Sequence, residues 1–426
     1  MQEEPDSIPP QNFSNAWAWA HAPRKPIVAN ASSVNTLREE TMKMPGEHLA
    51  PMDWSLAVPF YRRLVQKLRD QGIQALITGG NACVFYGFAP VTKDCDIIVP
   101  FDKCDQVLAI VAETVFGGNK PHYHIGFGAP FSKRWLSGGW TSHLYFGSPK
   151  EPTTRLDFFA KPPRVDDLSC DEEPLYLSRD GLARMKKTCR VGDWPYVNFL
   201  GLQLIRERRD IRGLLHINSL PELVDCVANI ELPLDLLQQR PLLRLAKENS
   251  PELERYVAAE KEFWRALDEL RRNLYVEAWQ PYGTTMAQDA QLPNMSLLEQ
   301  HQRLLNIATE MLESDPVAGF GDANLIQEAK DRTQRIFGKL DLAVLPNPMD
   351  FPRSGPCLGP MRALGSIISE ERYQDLLRKE FGEERAAICC SPYEERLKII
   401  ADYQQNFDTP RDSVWPAEGY TGPDLP

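Results

Sequence analysis

The 426-residue chain is predicted to adopt an α+β fold: a mixed β-sheet flanked by helices, followed by a mostly helical region. Three observations predict it. Two short apolar runs, 73–78 and 94–99, bracket a Gly79-Gly80 pair and a short mixed segment, which reads as strand, turn, helix and strand. Residues 153–159, TTRLDFF, alternate side-chain polarity as a half-buried strand does. From residue 252 onward apolar side chains recur instead at steps of three and four, the period of an amphipathic helix.

Taken in order, residues 1–50 hold Pro, Ser, Asn and Glu with little periodicity and are expected to form a disordered tail, apart from the Trp17-Ala18-Trp19 cluster. Residues 54–72 predict a helix, with Trp54, Leu56, Val58, Tyr61, Leu64, Val65 and Leu68 as its apolar positions, Asp53 as N-cap and Gly72 as stop. Pro59 falls early enough to be tolerated. A strand over 73–78, a short helix over 81–87, a second strand over 94–99 and a helix over 102–116 follow. Residues 119–150, rich in Gly, aromatics and His, predict loops and an irregular hairpin, with 144–146 leading toward the strand over 153–159. Pro162-Pro163 marks a boundary near 165. The expected organisation is therefore a tail (1–50), a sheet domain (51–165), a helical domain with a basic patch (166–282) and a helical C-terminal extension (283–426). Helices are expected over 252–279, 296–314, 370–381 and 394–403, with a Pro/Gly-rich linker over 344–360 and a tail from Asp408.

The chemistry concentrates in residues 74–99. Side chains two apart on a strand point the same way, so Asp94 and Asp96 present two carboxylates on one face. Paired hard oxygen ligands suit Mg²⁺, with Mn²⁺ as the alternative ion. Gly79 and Gly80 let a phosphate approach the backbone, and Asn81 either holds a phosphate oxygen or caps the helix. Taken singly, a Gly-Gly pair more often makes only a turn, and an Asp-x-Asp pair more often marks a solvated edge or a cap. Their order and spacing in one compact unit point instead to phosphoryl or nucleotidyl transfer.

Gly79-Gly80, Tyr86-Gly87, Thr92-Lys93 and Asp94-Cys95-Asp96 resemble the signature of the nucleotidyltransferase superfamily with the DNA polymerase β-like fold, closest to the minimal and abortive-infection toxin-type nucleotidyltransferases. The resemblance covers roughly residues 55–160 and implies a nucleotidyltransferase-like mixed sheet. It also implies a third carboxylate on a later strand, for which Asp157 stands in the right kind of segment. Asp94, Asp96 and Asp157 would then be both metal ligands and catalytic residues, with Gly79, Gly80, Asn81, Thr92 and Lys93 around an NTP such as ATP. Many relatives carry Arg where this chain has Pro90, two residues before Thr92; the phosphate contact would pass to Lys93 or Lys161, or be lost. The implied activity is Mg²⁺-dependent transfer of NMP from an NTP to an acceptor, which is an RNA end, a protein or a small molecule. The alternative is a catalytically degenerate module that binds a nucleotide or a partner in toxin–antitoxin-like regulation. A weaker third reading is a helical scaffold in which the Asp-x-Asp pair is incidental.

Composition bounds these readings. A net charge of −11 and a pI near 5.3 disfavour general affinity for double-stranded DNA or anionic membranes. Nine scattered cysteines without a C-x-x-C pair suggest reduced thiols and no structural zinc. The acidic, Pro-rich start is unlike a signal peptide, and no apolar run approaches 18 residues, so a cytoplasmic protein is expected. One basic island interrupts the acidic chain: Arg184, Lys186, Lys187, Arg190, Arg206, Arg208, Arg209 and Arg212. It either closes over a triphosphate or RNA acceptor, or is a solvated helix face, the latter being favoured. His122, His124 and His143 lack supporting ligand spacing and are expected to line a surface hairpin rather than hold metal.

Overall fold

A computed structural model describes residues 54–88, 94–147, 152–165, 168–171, 173–228, 230–348 and 368–398. The expected N-terminal tail, Asp53, Pro90, Thr92, Lys93, residues 349–360 of the expected linker and the C-terminal tail lie outside the described residues.

Five strands form one mixed sheet: β1 (Leu76–Thr78), β2 (Cys95–Ile98), β3 (Pro121–Tyr123), β4 (Ser142–Gly147) and β5 (Pro152–Phe159). Their spatial order is β1-β2-β5-β4-β3. Only β2 and β5 pair in parallel; every other neighbour is antiparallel. The fold is thus α+β, as the polarity patterns predict, although β1 is confined to the last three residues of the expected 73–78 strand.

Strand alternation sorts the two faces of the sheet. Thr154, Leu156 and Phe158 are buried and share one face of β5, whereas Asp157 belongs to the other. Helix α1 (Trp54–Asp70) lies on the buried face: the Tyr61 hydroxyl bonds to the Thr154 hydroxyl, and the Phe60 ring meets Phe146 edge-on at 5.3 Å. Helix α3 (Cys104–Ala112) adds Val107, Leu108 and Val111 to the same core. It is shorter than the expected 102–116 helix: residues 101–103 form a 3₁₀ turn, and Phe116 pairs with Asn119 in a bridge. Between β1 and β2 lies helix α2 (Gly79–Phe85).

Both sheet edges are covered, which removes unpaired strand donors and acceptors from solvent. Residues 175–177 run beside β1, where Leu175 and Leu177 exchange backbone hydrogen bonds with Ile77. On the far edge, the backbone N–H of Tyr123 donates to the Gln300 side chain at 2.8 Å, and the Tyr123 hydroxyl meets His301.

The remainder is helical. After α4 (Lys133–Leu136) come α5 (Arg179–Met185), α6 (Trp194–Arg208), α7 (Leu220–Ala228), α8 (Leu234–Gln239), α9 (Leu243–Lys247), α10 (Leu253–Gln288), α11 (Leu297–Met311), α12 (Pro316–Phe320), α13 (Asp322–Phe337), α14 (Glu370–Phe381) and α15 (Glu383–Cys390). The 36-residue α10 runs past the expected end at 279 and through Pro281. Its apolar stripe is core, with Phe263 and Trp264 packed against Trp194 and Leu325. Apolar packing continues across residue 165: Val165, Leu177 and Leu200 belong to the same cluster as Ile97 and Phe158. No helix among the described residues is long and apolar enough to cross a membrane.

Candidate active site

Asp96 and Asp157 are register partners on the parallel strands β2 and β5, at the centre of the sheet. Register partners on adjacent strands share a face, so both carboxylates point away from α1. Asp94, half-buried, lies two residues before Asp96 and acts electrostatically on it together with Asp157. Burial, then Asp94, then Asp157 push the Asp96 carboxyl up to about 8.

Gly79 forms the other wall. Its φ of +60° opens α2 in a left-handed conformation, and a Cβ placed there would fall 1.7 Å from Asp96 Oδ2 and 2.5 Å from its Cγ. Only glycine allows this contact without strain. Asn81 is buried, and its Nδ2 donates to the Asp94 carbonyl at 2.6 Å. That bond ties α2 to the start of β2.

His143 is the residue whose place the sequence reading had wrong. It stands opposite Asp157 on β4, and its Nδ1–H donates to Asp157 Oδ1 at 2.6 Å. The expectation of a surface hairpin histidine is corrected accordingly: β4 is an interior strand, and His143 faces the acidic centre. Burial lowers its pKa, but Asp157, Asp94 and Asp96 outweigh that and raise it. An imidazole one residue from a strand-like LYF run was the available signal.

Above Gly79 and Asp96 opens a cleft of about 260 Å³, bounded by Phe127, Trp140, Lys186, Arg190, Arg271, Arg272 and Tyr275. The fold divides the basic island. Arg184 pairs with Asp180 and Arg212 with Asp210; Arg206 bonds Glu207 and Glu370, and Lys187 is buried against the Leu215 carbonyl. Only Lys186 and Arg190 of that island reach the cleft, both held by Asp193 at 2.9 and 3.2 Å. Burial opposes the charge on Lys186, yet neighbouring Cys83 and Asp193 raise its pKa. Asp193 is the main cause of the raised Arg190 value.

Arg271, Arg272 and Tyr275 were not singled out in the sequence. With Asp268 they lie three and four residues apart on α10 and share one face. Lys161 is exposed and borders an adjoining cavity of about 460 Å³ rather than this cleft. Among the described residues, no group of three or more His, Cys, Asp and Glu side chains is gathered as a metal site.

Compared with models of known protein families, with curated proteins and with solved structures, the chain matches none.

Proposed function

We propose that this protein is a Mg²⁺-dependent nucleotidyltransferase of the polymerase β-like kind, moving NMP from an NTP to an acceptor hydroxyl or phosphate. The observation that carries the reading is the parallel register of Asp96 with Asp157, beside Asp94 and a glycine whose missing side chain leaves room for the carboxylate. The donor chemistry fits a hard divalent cation: all three groups offer oxygen, and Asp96 retains a proton that such a cation would displace. Asp94, Asp96 and Asp157 would hold Mg²⁺, which when bound supplies charge neutralisation for the triphosphate.

The chain's own residues account for the rest. Lys186 and Arg190 offer positive charge to the phosphates from the cleft wall. Gly79 and Gly80 let the phosphate approach the backbone, with Asn81 steadying that turn; Thr92 and Lys93 are proposed to complete the nucleotide contacts. Asp157, steadied by His143, aligns or deprotonates the acceptor. A new bond forms from the acceptor oxygen to the α-phosphorus while the bond to the β-phosphate oxygen breaks in line, releasing pyrophosphate. Incubation with α-³²P-NTPs, Mg²⁺ and cell extract should label an acceptor, and Asp94→Asn with Asp96→Asn should abolish labelling in a folded protein. Labelling that survives both changes would overturn the assignment.

A second reading is favoured by one feature: Asp157 is bonded to His143, which already engages one of its carboxylate oxygens. In that reading the fold binds a nucleotide or partner without chemistry. Mg²⁺-dependent NTP binding with no pyrophosphate release would select it.

A further inference from the structure

We propose that Phe127 is the platform on which the base of a bound nucleotide stacks, so that the cleft recognises a ligand with a polyanionic end and a flat heteroaromatic end. The proposal rests on the nucleotide reading of the cleft and extends it to the half of the ligand that the carboxylates do not touch.

The lining of the cleft is chemically mixed. Lys186, Arg190, Arg271 and Arg272 bring positive charge to it, and Phe127 and Trp140 are among its aromatic rings. Of the aromatic rings, Trp140 is buried, with its Nε1 donating to the Glu313 carbonyl at 3.0 Å. Tyr275 is buried as well, its hydroxyl donating to the Gly138 carbonyl. Phe159, which also borders the cleft, is partly buried against the core, whereas Phe127 is 40% exposed. Phe101 and Phe320 are also exposed among the described phenylalanines, but neither borders this cleft, and Phe101 is already covered by the Lys133 ammonium.

Phe127 is also held in place. Trp140 and Trp279 brace its ring, each at a centroid separation of 5.9 Å and tilted by 43° and 56°. Its neighbours are glycines because the loop runs tight against the sheet: a Cβ on Gly126 would lie 2.7 Å from the His124 ring, and one on Gly128 2.7 Å from the His143 ring. The platform is thereby tied to the same histidine that bonds Asp157. A ring fixed before binding loses little freedom when a base settles on it. Stacking needs only a π-face and tolerates any base, with purines offering more face than pyrimidines.

The test is calorimetry on the full chain with two probes, Mg²⁺–ATP and Mg²⁺–tripolyphosphate, on the wild type and on Phe127→Ala and Phe127→Trp. Loss of one stacking contact should weaken ATP binding by Phe127→Ala roughly tenfold or more. Tripolyphosphate binding should be unchanged, and Phe127→Trp should restore ATP affinity. Wild-type affinity should also rank ATP and GTP above CTP and UTP. Equal ATP affinity in wild type and Phe127→Ala would overturn the platform while leaving the nucleotide reading intact. A parallel loss of both probes would overturn it too, by showing that Phe127 acts through loop structure. Failure of the wild type to bind either probe would overturn the nucleotide reading of the cleft and the platform with it.

Discussion

Replacing Gly79 by alanine isolates the contact on which the acidic centre depends. The new methyl would stand 1.7 Å from Asp96 Oδ2, 2.5 Å from Cγ and 2.9 Å from Cβ. Rotating the carboxylate away cannot relieve the last of these, so the strand or the turn must move. Alanine at φ +60° adds a backbone cost of roughly 1–2 kcal/mol, and an overpacked buried contact costs roughly 1–3 kcal/mol more. A loss of roughly 2–5 kcal/mol is therefore expected, read from urea unfolding at fixed pH. The partner can be identified by a double-mutant cycle. Asp96→Ala removes Oδ2 and Cγ, so Gly79→Ala should cost less in that background, by about 1–3 kcal/mol of coupling. The proposed NMP transfer should fall in Gly79→Ala to the level of Asp96→Asn. Strict additivity of the two stability changes would refute the reasoning, because the clash would then lie with some other group.

Two further outcomes follow from the same geometry. The Asp96 carboxyl is raised to about 8, whereas an unfolded chain ionises near 4; the folded state binds the extra proton, so this group's stabilisation is full below about pH 4 and lost as pH rises toward 8. Asp96→Asn should flatten that decline in the urea midpoint and Mg²⁺ should reverse it above neutrality, whereas a wild-type curve parallel to the Asn variant would count against the buried acid. Arg396, 7% exposed, donates from its two terminal nitrogens to the carbonyls of Cys389 at 3.0 Å and Phe85 at 2.8 Å. It thereby ties the end of α2 to that of α15, so Arg396→Ala should cost about 2–3 kcal/mol and speed amide exchange in α2, with unchanged exchange there contradicting the link.

Much of the fold could be read from local pattern. The alternation over 153–159 places Asp157 on the face opposite Leu156 and Phe158, and burial follows that alternation. Helix α1 ends close to its predicted stop, because three- and four-residue spacing and a terminal glycine act over a single turn. Less legible was α3, where apolar spacing continues beyond Ala112 although the chain leaves the helix to reach β3. The basic island was legible as charge but not as function. Whether an arginine is neutralised depends on the local backbone that brings neighbours such as Asp180, Asp193 and Asp210 round to it, and for Arg206 on Glu370, which only folding brings close.

By itself, the sequence determined that paired glycines precede an acidic Asp-Cys-Asp run at the start of an apolar strand and that helices dominate the second half, since periodicity and backbone permissiveness are local properties; the strand itself begins at Cys95, so that Asp94 stands just before it. Tertiary structure alone decided that β5 lies parallel beside β2, that His143 meets Asp157 across β4, and that Arg271 with Arg272 faces the cleft from α10. Pairing between distant strands and the facing of distant helices depend on how the whole apolar core closes, and no short stretch of residues carries that information.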